Sequence, residues 1–146
     1  MSTFNPDQFL NTETNDATST AYTPIPENEY TACVKEIKPR VTTSGKAILD
    51  VVWGIDDADG SIEAATGMKQ STVRQSLFLD VTESGGLDTG KGKNVQLGKL
   101  REALSQNTPG KVWRPGDLIG GVAKVQVKHR IVDDATYTDI KSVTML

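Results

Sequence analysis

The most informative stretch of the sequence is STVRQSLFLDVTESGGLDTGKGKNVQLGKLREALSQN, residues 71–107. It joins a strand pattern, a glycine-rich loop and a helix pattern. In residues 71–83, which we predict to form a strand, apolar and polar residues alternate, so that Val73 and Leu77 share one face and Arg74 lies on the other. In the last part, apolar residues recur at helical spacing, and Asn94 is a favourable N-cap. The stretch therefore predicts a strand that is followed, after a loop, by one amphipathic helix.

The glycine-rich loop, GGLDTGKGKN at residues 85–94, has the GxxxxGK spacing of a nucleotide-binding loop. A P-loop also needs Ser or Thr directly after the lysine to hold Mg²⁺, and it belongs to a parallel βαβ sheet. Here the residue is Gly92, and helical crossovers are missing, so the sequence argues against an NTPase. We interpret the loop as a connection whose backbone N–H groups, with Lys91 and Lys93, contact a phosphate without catalysis. A plain strand-to-helix connection is the alternative.

Strand patterns lie on both sides of this stretch. They are EYTACVKEIKPR (29–40) and GKAILDVVWGIDD (45–57) before it, and VAKVQVKHRIVDD (122–134) and ATYTDIKSVTML (135–146) after it. Trp53 belongs to an apolar alternating set, which favours a core position over a role as a stacking platform. The order β-β-β-α-β-β is that of the OB-fold, a five-stranded Greek-key barrel that commonly binds oligonucleotides or oligosaccharides. We therefore predict an all-β fold of this type with a single helix.

The beginning of the chain has a different composition from the rest. Residues 1–26 are rich in Thr, Ser, Asn, Asp and Pro and have little hydrophobic periodicity. We predict a flexible acidic N-terminal arm at residues 1–26 and an OB-fold domain at residues 27–146. Phe4, Phe9 and Leu10 form a candidate docking patch on the arm.

Charge is distributed unevenly along the chain, although the net charge is only −3. Residues 1–34 contain five acidic residues and no Lys or Arg, whereas residues 91–130 contain nine basic and two acidic residues, a net charge of +7. A local basic region matters more for phosphate binding than the total charge does. The distribution is therefore compatible with a nucleic-acid partner, although a solvated charged surface is the alternative.

The sequence contains no recognisable catalytic or metal-binding set. His129 is the only histidine and Cys33 the only cysteine, so a His/Cys metal site and an internal disulfide are both excluded. We interpret His129 as structural or as a weak phosphate contact. The acidic stretch at residues 56–60 lacks the register of a calcium loop and predicts a hairpin turn instead. We expect neither an enzyme nor a cofactor. No apolar run reaches membrane length and no signal peptide is present, which predicts a soluble intracellular protein.

Binding of single strands combines basic grooves with aromatic side chains on which bases stack. Phe78 and Tyr137 are the candidate platforms, although Phe78 could instead pack under the arm. Trp113 has two interpretations, base stacking or closing the bottom of the barrel. Lys124, Lys128 and Arg130 share a strand face, for which a solvated edge strand is the alternative. The predicted nucleic-acid-binding residues are Arg74, Phe78, Lys91, Lys93, Trp113, Lys124, Lys128, Arg130, Tyr137 and Lys141.

The stretches VRQSLFLDVTESGGLDTGKGKNVQLGKLREALSQNTPG and AKVQVKHRIVDDATYTDIKSV, together with FNPDQFL and ILDVVWGIDD, resemble a family of small bacteriophage proteins. These are OB-fold single-stranded DNA-binding proteins of replication and recombination cassettes. The resemblance implies non-sequence-specific binding of single-stranded DNA in the cytoplasm of the infected bacterial host. We further expect phage replication or recombination proteins as partners, no membrane, and a homo-oligomer as one assembly state. The acidic segment here is N-terminal, whereas many such proteins carry it at the C-terminus.

A virion structural or capsid-decoration protein is the alternative function. Small β-rich phage proteins with N-terminal arms fit the same pattern, and the sequence pI near 5.1 favours this class. The basic residues clustered between positions 91 and 130 favour DNA binding instead.

Overall fold

Five strands and three short helices make up the computed structural model, which describes residues 3–18, 23–68 and 71–146. The strands are β1 (Asn28–Val41), β2 (Ala47–Ile55), β3 (Thr72–Phe78), β4 (Val122–Val132) and β5 (Ala135–Thr144). The helices are α1 (Pro6–Phe9), α2 (Ser61–Thr66) and α3 (Val95–Ala103), and a 3-10 turn covers Pro115–Leu118. Among the described residues, no helix is long and apolar enough to cross a membrane.

All five strands belong to one antiparallel sheet with the spatial order β3-β2-β1-β4-β5. The register places Val34 opposite Trp53, and Trp53 opposite Val73, so the apolar alternation of three strands falls on one face. The pairing shifts by one residue between Val34 and Glu36 in β1, where Lys35 is the extra residue, and again in β5, where Lys141 is the extra residue. The β-rich antiparallel architecture thus follows the alternation in the sequence.

The core lies between the inner face of this sheet and α3. Its strand residues are Ala32, Val34, Leu49, Val51, Trp53, Val73, Leu77, Ala123, Val125 and Val127. Outside the strands, Ile25, Ile62, Leu97, Leu100, Ala103 and Leu118 are also buried in it. Trp53 is fully buried, and its Nε1 donates a hydrogen bond to Gln75 Oε1 at 3.0 Å, which confirms its predicted core position. We call the opposite side of the sheet the outer face.

The five-stranded sheet does not close into the predicted barrel. In the described part of the chain, no backbone pairing joins the two edge strands β3 and β5. Closure requires continuous hydrogen bonding between the edge strands. Side chains of β3 and β5 instead line a groove of about 720 Å³ between these edges, so the sheet stays open there.

Asn94 stands directly before α3, as predicted, but it is not a capping residue. Its φ of 51° is left-handed, and its side chain makes no capping hydrogen bond. Asn94 Oδ1 accepts from the backbone N–H of Asp80 at 2.8 Å, and Nδ2 donates to the carbonyls of Asp80 and Asp88, each at 2.8 Å. Asn94 therefore ties the end of β3 to the loop. The predicted third strand at residues 71–83 ends earlier, at Phe78.

Two helices, α1 and α2, were not predicted from the sequence. Asn5 Oδ1 accepts from the N–H groups of Asp7 and Gln8 at 3.0 and 3.2 Å, which starts α1 within the predicted unstructured arm. The acidic turn predicted at residues 56–60 is present, with the Gly60 N–H donating to the Asp57 carbonyl at 3.0 Å, but it leads into α2. The Asp57 carboxylate accepts from two backbone N–H groups at the start of α2, each at 2.9 Å. Both helices depend on a side-chain oxygen that satisfies free N–H groups, a local effect that hydrophobic periodicity does not reveal.

The last two residues of the predicted arm, 25 and 26, contact the predicted domain. Ile25 is buried in the core, and Tyr30 Oη donates to the Pro26 carbonyl at 2.7 Å. The described arm residues 3–18 are all exposed. The parts of the predicted arm at residues 1–2 and 19–22 lie outside the described residues, as do residues 69–70 between α2 and β3.

Candidate functional site

The groove between β3 and β5, which we call the seam groove, brings together residues that are far apart in the sequence. Four of the predicted binding residues line it, namely Arg74, Arg130, Tyr137 and Lys141. Arg74 comes from β3, whereas the other three come from the β4–β5 hairpin. Asp139 is the single acidic residue of the lining, so three cationic side chains face one carboxylate.

Arg130 and Tyr137 form a paired cation and ring at one end of the seam groove. They are directly opposite each other on β4 and β5, and the guanidinium carbon lies 5.0 Å from the ring centroid. Arg130 Nε also donates to Asp139 Oδ2 at 2.8 Å, which raises the pKa of Arg130 and holds the guanidinium in place. Tyr137 remains 48% exposed, so its ring is accessible for stacking.

A second cation and ring lie at the far end of the outer face of β3. Phe78 is 65% exposed, and Lys46 Nζ lies 5.8 Å from its ring centroid. This exposure argues against the alternative that Phe78 is packed under the arm. Phe78 is four residues from Arg74 on the same strand face, a separation of about 13 Å. Along β3, the outer face thus carries the ring of Phe78, then Arg74, and then the seam groove.

Asp50 of β2 was not among the predicted site residues. It lies between the two pairs of a cation and a ring. Its side chain is almost completely buried, although it points to the outer face opposite Ser76 and Lys38. Arg40 Nε donates to Asp50 Oδ2 at 2.6 Å, and Ser76 Oγ donates to Oδ1 at 2.6 Å. The only sequence signal was an acidic residue within the otherwise apolar run AILDVVW. Asp50 therefore fixes the guanidinium of Arg40 beside the outer face.

Two opposing effects set the pKa of Asp50. Burial raises it, but hydrogen bonds from Arg40 and Ser76 and the charges of Arg40 and Arg74 lower it more, so the pKa lies below its ordinary value. The carboxylate is consequently stabilised in its ionised form, and this stabilisation contributes to folding.

We expect Asp50→Asn to lower the free energy of unfolding by about 1–3 kcal/mol near neutral pH. Because the folded-state pKa is depressed, the contribution of the carboxylate is fully present above its unfolded-state pKa of about 3.9 and is lost as pH falls through the folded-state value. Urea unfolding of both proteins between about pH 7 and pH 3 should show the difference shrinking with acid. Glu36→Gln, which removes the exposed partner of Lys38, is the control and should change stability little. A difference that is constant with pH would contradict the assignment.

The remaining predicted residues do not line the seam groove. Lys124 pairs with Glu29, with 3.8 Å between Nζ and Oε1. Lys128 is half-buried opposite Asp139. The pKa of Glu27 is lowered, first by a hydrogen bond from the His129 N–H and to a smaller extent by the charge of Lys128. These two lysines therefore have acidic neighbours within the chain.

The glycine-rich loop already satisfies part of its own backbone. The Gly90 N–H donates to Asp88 Oδ1 at 2.9 Å, and the Asn94 N–H donates to Asp80 Oδ2 at 2.9 Å. These carboxylates occupy two of the N–H groups that were predicted to contact a phosphate. The structure therefore argues against phosphate binding through the loop backbone. Lys91 and Lys93 remain exposed on the loop.

Trp113 packs against the core and is half-buried. Its Nε1 donates to Gln106 Oε1 at 2.9 Å, and the Arg101 guanidinium carbon lies 4.0 Å from the ring centroid. Of its two interpretations, this environment favours a packing role beside α3 over base stacking.

His129 connects the start of the domain to β4. Its Nε2 lies 2.6 Å from the carbonyl oxygen of Ile25, and because a carbonyl only accepts, Nε2 carries the hydrogen. Its backbone N–H donates to Glu27 Oε2 at 2.8 Å. These contacts give His129 a structural role. Within the described ranges, no group of three or more His, Cys, Asp or Glu side chains is arranged to hold a metal ion.

A scan against models of protein families finds no match to this chain, and a search of curated protein sequences finds no significant relative.

Proposed function

We propose that this protein binds single-stranded DNA without sequence specificity and without catalysis. The observation that carries the proposal is the seam groove, where Arg74, Arg130, Tyr137 and Lys141 converge from strands far apart in the sequence. Cations neutralise phosphates, and an exposed ring stacks on any base because every base has a π-face. The pairing of Tyr137 with Arg130 supplies both functions at one place.

A single strand fits the outer face better than a duplex does. Phe78 and Tyr137 both present exposed rings, which unpaired bases can stack on but stacked base pairs cannot reach. Each ring has a cation within 6 Å of its centroid, which adds to stacking through the ring quadrupole. The proposed strand runs from the seam groove along β3 towards Lys46.

We extend the proposal to the fold type and the biological setting. The sheet order, with β1 between β2 and β4, is compatible with a partly open OB-fold in which the seam is the open side. The resemblance to bacteriophage single-stranded DNA-binding proteins supports a role in phage DNA replication or recombination in the host cytoplasm. Replication or recombination proteins and a second copy of the chain are the proposed protein partners.

The test is binding of a fluorescent poly-dT oligonucleotide at two salt concentrations, with a duplex of equal length as competitor. We expect tight binding that weakens with salt and that the duplex fails to compete. Failure to bind even at low salt would overturn the proposal. Effective competition by the duplex would replace it with general binding of phosphates.

A virion structural or capsid-decoration role is the second candidate, and α1 is the observation that favours it. The rings of Phe4 and Phe9 lie 5.3 Å apart, and both side chains and Leu10 are exposed on the acidic arm. Exposed apolar groups of this kind suit contact with another protein. Retention on heparin at low salt would favour DNA binding, whereas absence of retention together with absence of poly-dT binding would favour this role.

We expect deletion of residues 1–18 to raise the affinity for poly-dT at low salt. This segment holds Asp7, Glu13 and Asp16 and no basic residue, so it competes with DNA for the basic surface. The deletion spares Ile25, which belongs to the core. A deletion of residues 1–10, which removes α1 but only one acidic residue, separates the effect of charge from that of the apolar patch. Unchanged affinity after the longer deletion would contradict the competition.

A further inference from the structure

The outer face holds a second depression, distinct from the seam groove, that forms around an irregularity of β1. Val34 is paired with Trp53 and Glu36 with Val52, so Lys35 has no partner of its own across the β1–β2 ladder. Such a bulge redirects the side chain of the extra residue. The regular alternation of β1 therefore does not determine where Lys35 points.

Gly54 of β2 makes room for the redirected lysine. A Cβ at this position would lie 2.5 Å from Lys35 Cε and 2.9 Å from Cγ, closer than non-bonded carbons approach. The stem of Lys35 consequently lies across the strand at Gly54. Glycine inside a strand often marks such a close approach. The bulge and the glycine together hold Lys35 over one point of the outer face.

This point opens into a depression of about 760 Å³ between β1, β2 and β3. Val52, Gly54 and Val122 provide apolar lining, while Lys35, Ser71 and Thr72 provide polar groups. Ser71 is only 6% exposed, and its hydroxyl has no hydrogen-bond partner within the described ranges. This oxygen is enclosed by the protein, so Thr72, whose side chain is exposed, supplies the accessible hydroxyl of the depression.

The charges around the depression leave Lys35 available. Lys35 has no ion pair in the part of the chain that the structure describes, whereas Lys38 on the same strand is 3.5 Å from Glu36. Glu36 and Asp56 also line the depression, but Lys38 offsets the first and the second is exposed to solvent. Thr72 is two residues from Arg74 on the same face of β3, on the side away from Phe78, so the depression extends the proposed path of the strand in the direction opposite to Lys46.

We infer that this depression is a second nucleotide subsite, in which the Lys35 ammonium, positioned by the bulge and by Gly54, binds a phosphate of the DNA strand. The inference rests on the proposed function. The apolar lining accommodates the base or sugar, and the hydroxyl of Thr72, whose side chain is exposed, is available to hydrogen-bond the same nucleotide.

The test uses the full chain and poly-dT at a series of salt concentrations. We expect Lys35→Gln to weaken binding about two- to fivefold at low salt and to reduce the slope of log affinity against log salt by about 0.7, the value of one phosphate contact. Lys35→Arg should retain the slope. Lys111→Gln removes an exposed charge that lies outside both the depression and the seam groove, and it should leave the slope unchanged.

Gly54→Ala tests the positioning. The added methyl displaces the Lys35 stem, so we expect the salt slope to fall as it does in Lys35→Gln while urea unfolding shows that the variant is folded. If Lys35→Gln matches the parent protein while Tyr137→Ala weakens binding, the subsite is overturned and the proposed function stands. If the parent protein does not bind poly-dT, both are overturned.

Discussion

Tyr137→Ala is expected to weaken binding of poly-dT about five- to 150-fold, which corresponds to the loss of about 1–3 kcal/mol for one stacked base. Tyr137 is the exposed ring of the seam groove, and Arg130 holds a guanidinium 5.0 Å from its centroid. Truncation removes the stacking surface and also the ring against which Arg130 is ordered. Fluorescence anisotropy with labelled poly-dT at low and moderate salt measures the change.

Two matched variants separate stacking from charge in this result. Tyr137→Phe keeps the ring and should bind nearly as well as the parent protein. Arg74→Ala should reduce the salt slope by about 0.7, the value of one phosphate contact, whereas Lys111→Ala removes an exposed lysine outside the seam groove and should not. Parent-like affinity of Tyr137→Ala would show that the seam groove is not where bases stack.

The largest effect on stability is expected for Trp53→Ala, which should lower the free energy of unfolding by about 3–5 kcal/mol. Trp53 is fully buried at the centre of the sheet, where Val34 and Val73 are its cross-strand neighbours. The substitution leaves a cavity and also deprives Gln75 Oε1 of its donor. Such a loss is a large share of the 5–15 kcal/mol that is typical of a domain.

Urea unfolding followed by far-UV circular dichroism measures this loss, and Trp113 remains as a fluorescence reporter. Val112→Ala, at a strongly exposed position, is the control and should change stability by less than about 0.5 kcal/mol. A loss below about 1 kcal/mol for Trp53→Ala would mean that the core is not organised around this side chain.

The local patterns of the sequence were sufficient for the strands, for α3 and for the core residues that these elements contribute, but not for Ile25, Ile62 and Leu118. Alternation placed Val51 and Trp53 inside and Arg74 and Phe78 outside, and the helical spacing placed Leu100 against the sheet. These assignments succeed because the direction of a side chain in a regular strand or helix depends only on the repeat of the backbone. The short helices α1 and α2 were not predicted because they begin at capping hydrogen bonds, which hydrophobic periodicity does not reveal.

The seam groove and the features around it depend on how distant strands pack, so local sequence patterns could not predict them. Arg74 and Tyr137 meet only because β3 and β5 are the two edges of one open sheet, and no local pattern specifies whether such edges pair. The burial of Asp50 between Arg40 and Ser76 and the position of Lys35 over Gly54 likewise depend on strand register and on a bulge. Register and closure arise from contacts between distant segments. Alternation along each strand therefore indicates which residues face outward, whereas the packing of the strands determines which of them come together.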